Sequence, residues 1–159
     1  LLMKTIFRFK MEKVQVEVIV FRKVNNYFEF LILKRIASKG GFWQPPCGRL
    51  EKDDKSNLNA AYREVFEETA ILKSQIIKVI EDVHYFKMDA HYLTQEPIEP
   101  IEEFVFAFEV ESDTNVQIDN NISVEHDKFK WVTFEEAISL LKWGNNRDAF
   151  RKLNKILMN

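Results

Sequence analysis

The stretch A-A-Y-R-E-V-F-E-E-T-A-I, residues 60–71, places three glutamates beside one arginine. Residues three and four apart are neighbours on a helix, so Glu64 would share a face with both Glu67 and Glu68. Like charges at this spacing cost roughly 0.2–0.5 kcal/mol per pair unless cations offset them. Carboxylate oxygens suit a hard dication, and Mg²⁺ typically joins protein carboxylates to substrate phosphates. The stretch therefore predicts either a solvated acidic face or a metal site on a helix.

The helix that carries these glutamates is predicted to begin at Ser56, whose hydroxyl suits the N-cap position. Apolar residues then recur at helical spacing with charged residues opposite: Leu58, Ala61, Tyr62, Val65 and Thr69. The preceding segment, Ser38 to Leu50, concentrates glycine and proline, which predicts a loop. A tight loop at this place can fold back over the helix and add a backbone carbonyl to the ligands of a metal.

Strand patterns flank the loop and the helix on both sides. Alternating valines from Val14 predict a first strand with one buried face, and Asn25-Asn26 supply the turn of a hairpin. Further strands are predicted at Tyr27–Arg35, Ile76–Met88, Ile101–Val110 and Lys128–Val132, with a loop that carries Pro97 and Pro100 between the second and third of these. A short helix is predicted from Thr133 to about Lys142. A last helix is predicted to be capped by Asn145 or Asn146 and to bury Phe150, Leu153 and Leu157. This order predicts an α+β fold, an α/β/α sandwich with a mixed β-sheet between helices.

Length and composition indicate one domain over residues 1–159, with residues 1–12 as a frayed or edge-strand beginning. The formal net charge of -2 supplies no overall field for a nucleic-acid polymer or an anionic membrane. A single cysteine, Cys47, cannot form an internal disulfide, which favours a reducing cytoplasm. No stretch approaches the roughly 20 apolar residues that cross a bilayer. We therefore expect a small-molecule partner, with a monomer and a homodimer both open.

The stretch from Pro45 to Ile71 resembles the Nudix box, G-x5-E-x7-R-E-U-x-E-E-x-G-U, where U is apolar. The positions that match are Arg63, Glu64, Val65, Glu67, Glu68 and Ile71. Fourteen residues separate Gly48 from Arg63 where the pattern has thirteen, and an acidic run, Glu51, Asp53 and Asp54, replaces its first glutamate. Which acid takes that structural role does not follow from the sequence. Ala70 stands for the closing glycine, which is modestly costly if the residue needs a positive φ.

The resemblance implies hydrolysis of a nucleoside diphosphate linked to another group, with Mg²⁺ as the cofactor and Mn²⁺ as its substitute. Glu64 and Glu68 are then the main metal ligands, and Glu67 is a further ligand or the base for the attacking water. Arg63 is expected to orient the glutamates through charge-assisted hydrogen bonds. Cys47 lies where the family uses a backbone carbonyl as a metal ligand, and its thiol is expected to be inert.

Further stretches are similar to the bacterial Nudix enzymes that release pyrophosphate from dATP or dihydroneopterin triphosphate. They are F-W-Q at 42–44, I-S-V-E-H-D-K-F-K-W-V at 122–132 and W-G-N-N-R-D-A-F at 143–150. Paired prolines at 45–46 and the E-H-x-x-F-x-W arrangement are also similar to diadenosine tetraphosphate hydrolases. The resemblance implies a pyrophosphohydrolase for a nucleoside triphosphate or a related polyphosphate. The alternatives are a dinucleoside polyphosphate hydrolase and a Nudix module that senses a nucleotide without cleaving it.

Residues outside the box complete the expected site. Glu125 matches a loop glutamate that assists the metals in the first subfamily, although a solvated loop residue is an equal alternative, and Glu102 and Glu103 compete for the role. Lys34 and Arg35 end a strand and could hold outer phosphates, or be solvated surface. The aromatic residues that could stack on a base, or pack in the core, are Trp43, Tyr85 and Phe86. His84 and His91 are interpreted as structural.

Overall fold

The computed structural model describes Met3, residues 13–118 and residues 124–159. The expected frayed or edge-strand beginning at residues 1–12 lies outside the described residues, Met3 apart. Along the described chain the strands are β1 (Val14–Val24), β2 (Tyr27–Arg35), β3 (Trp43–Gln44), β4 (Cys47–Arg49), β5 (Ile76–Ala90), β6 (Pro97–Val110) and β7 (His126–Val132). The α-helices are α1 (Asn57–Thr69), α2 (Phe134–Leu140) and α3 (Gly144–Leu157), and short 3₁₀ turns cover Ala37–Lys39 and Lys73–Gln75.

The strands form one mixed, open sheet. Its order is β3-β2-β1-β6-β5, with β4 also paired to β1 and β7 also paired to β2. Strands β1 and β6 run parallel, from Val14 opposite Glu102 to Arg22 opposite Val110, and the other pairs are antiparallel. The predicted mixed sheet is therefore confirmed.

Helices cover both faces of the sheet, because alternate residues of the central strands face opposite sides. On one face, Val16, Val18 and Val20 of β1 belong to the same core as Ala61 and Val65 of α1. On the other face, Ile19 and Phe21 share a core with α2 and α3: Ala137, Leu141, Ala149, Phe150 and Leu153. This layering is the predicted α/β/α sandwich.

Strands β1 and β2 diverge beyond their hairpin turn, and part of the glycine- and proline-rich segment Ser38 to Leu50 lies between them. We call this divergence the fork in the sheet. Strands β1 and β2 pair only near the turn, from Phe21 opposite Phe30 to Val24 opposite Tyr27. Farther along, β3 pairs with β2 and β4 pairs with β1. The prediction of a loop over the whole segment Ser38 to Leu50 is therefore wrong at β3 and β4. These strands form because the diverging edges of β1 and β2 offer unpaired backbone groups.

Several local predictions are confirmed, while β5 ends at Ala90 and β7 begins at His126, each two residues beyond the predicted bound. The Ser56 hydroxyl accepts a hydrogen bond from the Asn59 amide at 3.1 Å, and Ala70 ends α1 with a φ of 62°. The prediction of a loop carrying Pro97 and Pro100 is wrong, because both prolines belong to β6, which begins at Pro97. A proline is tolerated at the first position of a strand.

The last helix begins at Gly144 rather than after a capping asparagine. Trp143 takes the N-cap position without a side-chain hydrogen bond. The side chain of Asn146 donates instead to Glu17 of β1. Among the described residues, no helix is long and apolar enough to cross a membrane.

Candidate active site

Arg63 of α1 lies among acidic side chains at the point where β4 meets the helix. Its Nη1 donates to Glu64 Oε1 at 2.8 Å and to Glu67 Oε2 at 3.1 Å. Its Nη2 also donates to the carbonyl oxygen of Arg49 at 2.9 Å. One guanidinium thus fixes two carboxylates of α1 and anchors the helix to β4.

The acidic run before α1 supplies the strongest partner of Arg63, and that partner is Asp54. Asp54 Oδ1 accepts from Nε at 3.0 Å and Oδ2 accepts from Nη2 at 2.7 Å, which is a bidentate pair. Its side chain is only 6% exposed, whereas Glu51 is 60% exposed and lies 3.3 Å from Nη1. Burial raises the pKa of Asp54, but hydrogen bonds from Arg63 and the Glu51 amide outweigh it, so the pKa is lowered.

Asp54 also occupies the box position itself, since five residues separate it from Gly48. The residue in excess of the box pattern therefore falls between Asp54 and Arg63. An aspartate, one methylene shorter than glutamate, makes the arginine contact there.

Glu64 lies directly against the backbone of Gly48 in β4. A Cβ atom added to Gly48 would collide with the Glu64 carboxylate, so this position needs glycine. Burial raises the pKa of Glu64 to about 7, although the charge and hydrogen bond of Arg63 oppose the rise. The loop thus holds a desolvated carboxylate against backbone at the place where a cation would relieve its charge.

Glu68, one turn farther along α1, reaches both the loop and β7. The Cys47 amide donates to Glu68 Oε2 at 3.1 Å. Burial raises the pKa of Glu68 well above its ordinary value, and the charges of Glu64 and Glu125 add to the rise. Ligand atoms of Glu68, Glu125 and His126 lie within 4.8 Å of one another.

Glu125 is thereby placed beside α1, whereas its two competitors belong to β6. Glu102 accepts a hydrogen bond from the Tyr85 hydroxyl at 2.7 Å on the β5–β6 hairpin. Glu103 is 2% exposed, and burial raises its pKa to about 8 although Gln15 and Arg49 oppose the rise. Lys39 Nζ lies 3.6 Å from Glu125 Oε1, which neutralises part of that charge.

Two groups of side chains could hold a divalent cation among the described residues. One is Glu51, Glu64 and Glu67, and the other is Glu68, Glu125 and His126, each with ligand atoms within 4.8 Å. Oxygen donors that are costly to ionise without a counter-charge fit a hard dication. His126 is buried, and burial lowers its pKa to about 4 with help from Arg35 and Lys39. The E-H pair in the sequence was the only signal for His126.

A buried polar cluster that was not predicted lies on the opposite face of the sheet. Glu17 is 0% exposed, lies opposite Cys47 in the ladder, and accepts a hydrogen bond from Asn146. Burial raises the pKa of Glu17, and Glu103 raises it further. The signal was the continuous apolar run that follows Glu17 in β1, which indicates a strand buried on both faces. Burial and four neighbouring carboxylates also raise the pKa of the Cys47 thiol, which disfavours the reactive thiolate.

The candidate substrate-binding residues have different surroundings. Arg35 lies opposite His126 in the β2–β7 ladder and so adjoins the acidic site. Lys34 is half-buried and lies opposite Trp43 on one side and Lys128 on the other. The Trp43 ring packs against the α2–α3 core and carries Lys130 Nζ 5.4 Å from its centroid. Of the other candidates for base stacking, Tyr85 is exposed and Phe86 packs on the core.

The comparisons with known proteins agree with this geometry. The profile of the NUDIX domain matches residues 11–153. Mouse bis(5'-nucleosyl)-tetraphosphatase (asymmetrical) is 33% identical over 134 residues, which are 84% of this chain and 83% of the relative. The RNA pyrophosphohydrolase of Pelagibacter ubique is 28% identical over 89% of this chain and 91% of the relative. An octanoyltransferase of Myxococcus xanthus is 32% identical over 77% of this chain, which spans only 31% of that relative's length.

Solved structures share the fold. A Caenorhabditis elegans Ap4A hydrolase binary complex has a TM-score of 0.74 at 22% identity, covering 91% of this chain and 97% of that one. The Escherichia coli dihydroneopterin triphosphate pyrophosphohydrolase has a TM-score of 0.69 at 22% identity, covering 88% and 93%. The chain belongs to the Nudix hydrolase family. Nudix hydrolases generally need a divalent metal, which fits the acidic groups around α1.

Proposed function

We propose that this chain is a cytoplasmic, Mg²⁺-dependent pyrophosphohydrolase that cleaves a nucleoside triphosphate or a related polyphosphate, such as dihydroneopterin triphosphate, by attack of water on phosphorus. The observation that carries the proposal is the Arg63-centred cluster, in which one guanidinium holds Glu64 and Glu67 while Glu68 is fixed by the Cys47 amide. Such a set of oriented carboxylates suits phosphoryl chemistry, where catalysis is mainly positioning and charge stabilisation.

Each residue of the cluster has a role in this proposal. Glu64 and Glu68 hold the cation with the backbone carbonyl at Cys47, and Mn²⁺ substitutes for Mg²⁺. The bound cation supplies neutralisation of charge on the phosphate oxygens. Glu67, whose side chain is 38% exposed, is the most accessible of the three glutamates and accepts a proton from water or adds a further ligand.

Residues around the glutamates position them and the substrate. Arg63 keeps Glu64 and Glu67 in place through its hydrogen bonds. Glu125 assists at the Glu68 side of the site. Lys34 and Arg35 bind the outer phosphates, and Trp43 contributes through packing beside Lys34 rather than through an open ring face.

The alternative substrate is a dinucleoside polyphosphate such as diadenosine tetraphosphate. The observation that favours it is the 33% identity to the mouse tetraphosphatase over 84% of this chain. Both substrates present a phosphoric anhydride to the same glutamates, so product identification has to separate them.

The test is a substrate panel in Mg²⁺ with dATP, dihydroneopterin triphosphate, diadenosine tetraphosphate and ADP-ribose. We expect a triphosphate to be cleaved fastest, with pyrophosphate as a product. Glu67→Gln should reduce turnover by roughly 10²–10⁴-fold, whereas Glu135→Gln on the exposed start of α2 should not change it. Turnover of none of the four compounds would favour a nucleotide-sensing module instead. Parent-level turnover by Glu67→Gln in saturating Mg²⁺ would remove the role assigned to Glu67.

A further inference from the structure

A group of cations and aromatic rings lies beside the acidic site. We call it the cation–aromatic cluster, and it consists of Arg35, Phe42, Tyr92, Lys142 and Trp143. Its members come from three separate parts of the chain: the end of β2 with the loop that follows, the β5–β6 connection, and the α2–α3 connection. The fold therefore brings together residues that no single sequence motif contains.

The Phe42 ring is the centre of this cluster. Its centroid lies 5.9 Å from that of Tyr92 and 5.4 Å from that of Trp143, and both pairs meet edge to face. The guanidinium carbon of Arg35 lies 5.9 Å from the Phe42 centroid and 5.4 Å from the Tyr92 centroid. Lys142 Nζ lies 5.6 Å from the Phe42 centroid and 4.8 Å from the Trp143 centroid. Two positive charges are thus held at one buried ring.

Neither of these charges forms a close ion pair in the described part of the chain, although the charge of Arg35 acts on Glu68 from a greater distance. No carboxylate lies within 4.0 Å of Arg35 or Lys142 there, whereas Lys39 in the same loop is paired with Glu125. The Nε atom of Arg35 is buried and has no hydrogen-bond partner. A buried donor without a partner is unfavourable, and two like charges at one ring repel each other. An anion bound beside Phe42 would relieve both costs.

The cluster adjoins the acidic site through backbone contacts. Arg35 lies opposite His126 in the β2–β7 ladder, and the amide of Ile36 donates to the carbonyl of Glu125 at 3.0 Å. Glu125 and His126 belong to the same group of possible metal ligands as Glu68. A phosphate chain that extends from these carboxylates toward the cluster would therefore contact Arg35 before the other members of the cluster.

The rings of the cluster are suited to hold the cations rather than to stack on a base. Tyr92 already contacts Phe42, Arg35 and, at 4.8 Å between centroids, His91. Trp143 already contacts Phe42 and Lys142. Cations seated on aromatic rings keep their hydrogen-bond donors free for phosphate oxygens.

We propose that Lys142, together with Arg35, binds phosphate oxygens beyond the phosphorus that is attacked, so that the site prefers a chain of three or more phosphates to a two-phosphate linkage. The inference rests on the proposed function for its substrate class. It adds Lys142 as a specificity-determining residue, which neither the box nor the sequence pattern indicates. It also predicts that ADP-ribose, with two phosphates, is the poorest substrate of the panel.

The kinetic test compares Lys142→Gln with Lys155→Gln, an exposed lysine at the far end of α3 that serves as the matched control. For the best triphosphate, Lys142→Gln should raise KM about tenfold with a small effect on kcat, and Lys142→Arg should restore most of the loss. The rise in KM for ADP-ribose should be much smaller. An equal rise for both substrates, no rise at all, or failure of arginine to rescue would overturn the proposal.

A binding test separates this proposal from the proposed function. Calorimetric titration with inorganic tripolyphosphate in Ca²⁺ should show weaker binding to Lys142→Gln than to the parent and to Lys155→Gln, with a smaller difference for inorganic pyrophosphate. If no nucleotide is hydrolysed, the proposed activity fails, while this titration still decides whether the cation pair binds a phosphate chain. Equal tripolyphosphate affinity in the parent and Lys142→Gln, at matched thermal stability, would contradict it.

Discussion

Asp54 accepts hydrogen bonds from two nitrogens of the Arg63 guanidinium, at 3.0 Å from Nε and 2.7 Å from Nη2. The pair ties the segment before α1 to the arginine that also holds Glu64 and Glu67. The placement of two carboxylates of the active site thus depends on a residue that contacts neither of them directly.

Asp54→Asn should lower both stability and activity. The substitution removes the charge of a nearly buried, bidentate partner, and charge-assisted hydrogen bonds contribute roughly 1.5–3 kcal/mol. We expect a loss of about that size in the free energy of unfolding in urea, with a lower kcat/KM. Asp53→Asn is the matched control, because Asp53 is the exposed neighbour. Equal unfolding curves for the two variants would show that the pair does not stabilise the fold.

Gly48→Ala should weaken cation binding with little effect on the overall fold. The new Cβ would meet the Glu64 carboxylate and force that side chain away from β4. We expect the Mg²⁺ concentration for half-maximal activity to rise about tenfold or more, which corresponds to about 1.4 kcal/mol. Gly144→Ala is the control, since a Cβ there would meet nothing nearer than Arg147 Nη2 at 3.7 Å. An unchanged Mg²⁺ requirement in Gly48→Ala would mean that the position of Glu64 is not critical.

Removal of divalent cations should destabilise the folded chain. Glu64 and Glu68 are buried carboxylates whose ionisation is unfavourable without a counter-charge. A ligand present at 100 times its Kd stabilises by about 2.7 kcal/mol, which for a chain of this size raises Tm by roughly 5 °C or more. Melting curves in Mg²⁺ and in EDTA measure the effect, and Glu64→Gln should reduce it. Identical melting temperatures in the two buffers would indicate that these carboxylates do not bind a divalent cation.

Stability in EDTA should fall as the pH rises from about 5 to 8. The pKa of Glu103 is about 8 in the folded chain against an ordinary value of 4.5, because burial disfavours its ionised form. Between these values the folded state retains a proton on Glu103 that the unfolded state has lost, so this one group favours unfolding by at most about 1.4 kcal/mol for each pH unit of rise, and Glu17, Glu64 and Glu68 act in the same direction. Urea unfolding across this range measures the slope. Glu103→Gln should show a shallower slope, and an unaltered slope would exclude Glu103 as its source.

Local sequence patterns were sufficient to predict α1. They did not predict β3, β4 or the burial of Glu17, because these depend on contacts between distant parts of the chain. The helix and its caps depend on neighbours in the chain, so Ser56 and Ala70 behave as predicted. The pairing of β3 and β4 depends on edges that the diverging β1 and β2 provide, and no pattern within residues 38–50 contains that information. The burial of Glu17 depends in the same way on α3, whose Asn146 becomes its partner instead of a helix cap.

The arrangement of the candidate site was predictable in part for the same reason. The spacing of Glu64, Glu67 and Glu68 placed them on one helix face, and a resemblance supplied the loop glutamate Glu125. The sequence could not show which of Glu51, Asp53 and Asp54 is the main partner of Arg63. That choice depends on the path of the chain between β4 and α1. The cation–aromatic cluster forms from three segments that are distant in the sequence, so no local pattern indicated a role for Lys142.

The fork in the sheet also limits where the chain can change length. The amide of Val18 donates to the Pro46 carbonyl and the amide of Arg35 donates to the Phe42 carbonyl, both at 2.9 Å, so residues 42–49 are fastened on both sides. An insertion or deletion there would shift Gly48 away from Glu64. Residues 55–56 are exposed, the bonds of Ser56 run only to the first turn of α1, and the one-residue excess over the box falls between Asp54 and Arg63. Homologous chains should therefore vary in length after Asp54 while keeping the spacing of the fastened segment constant.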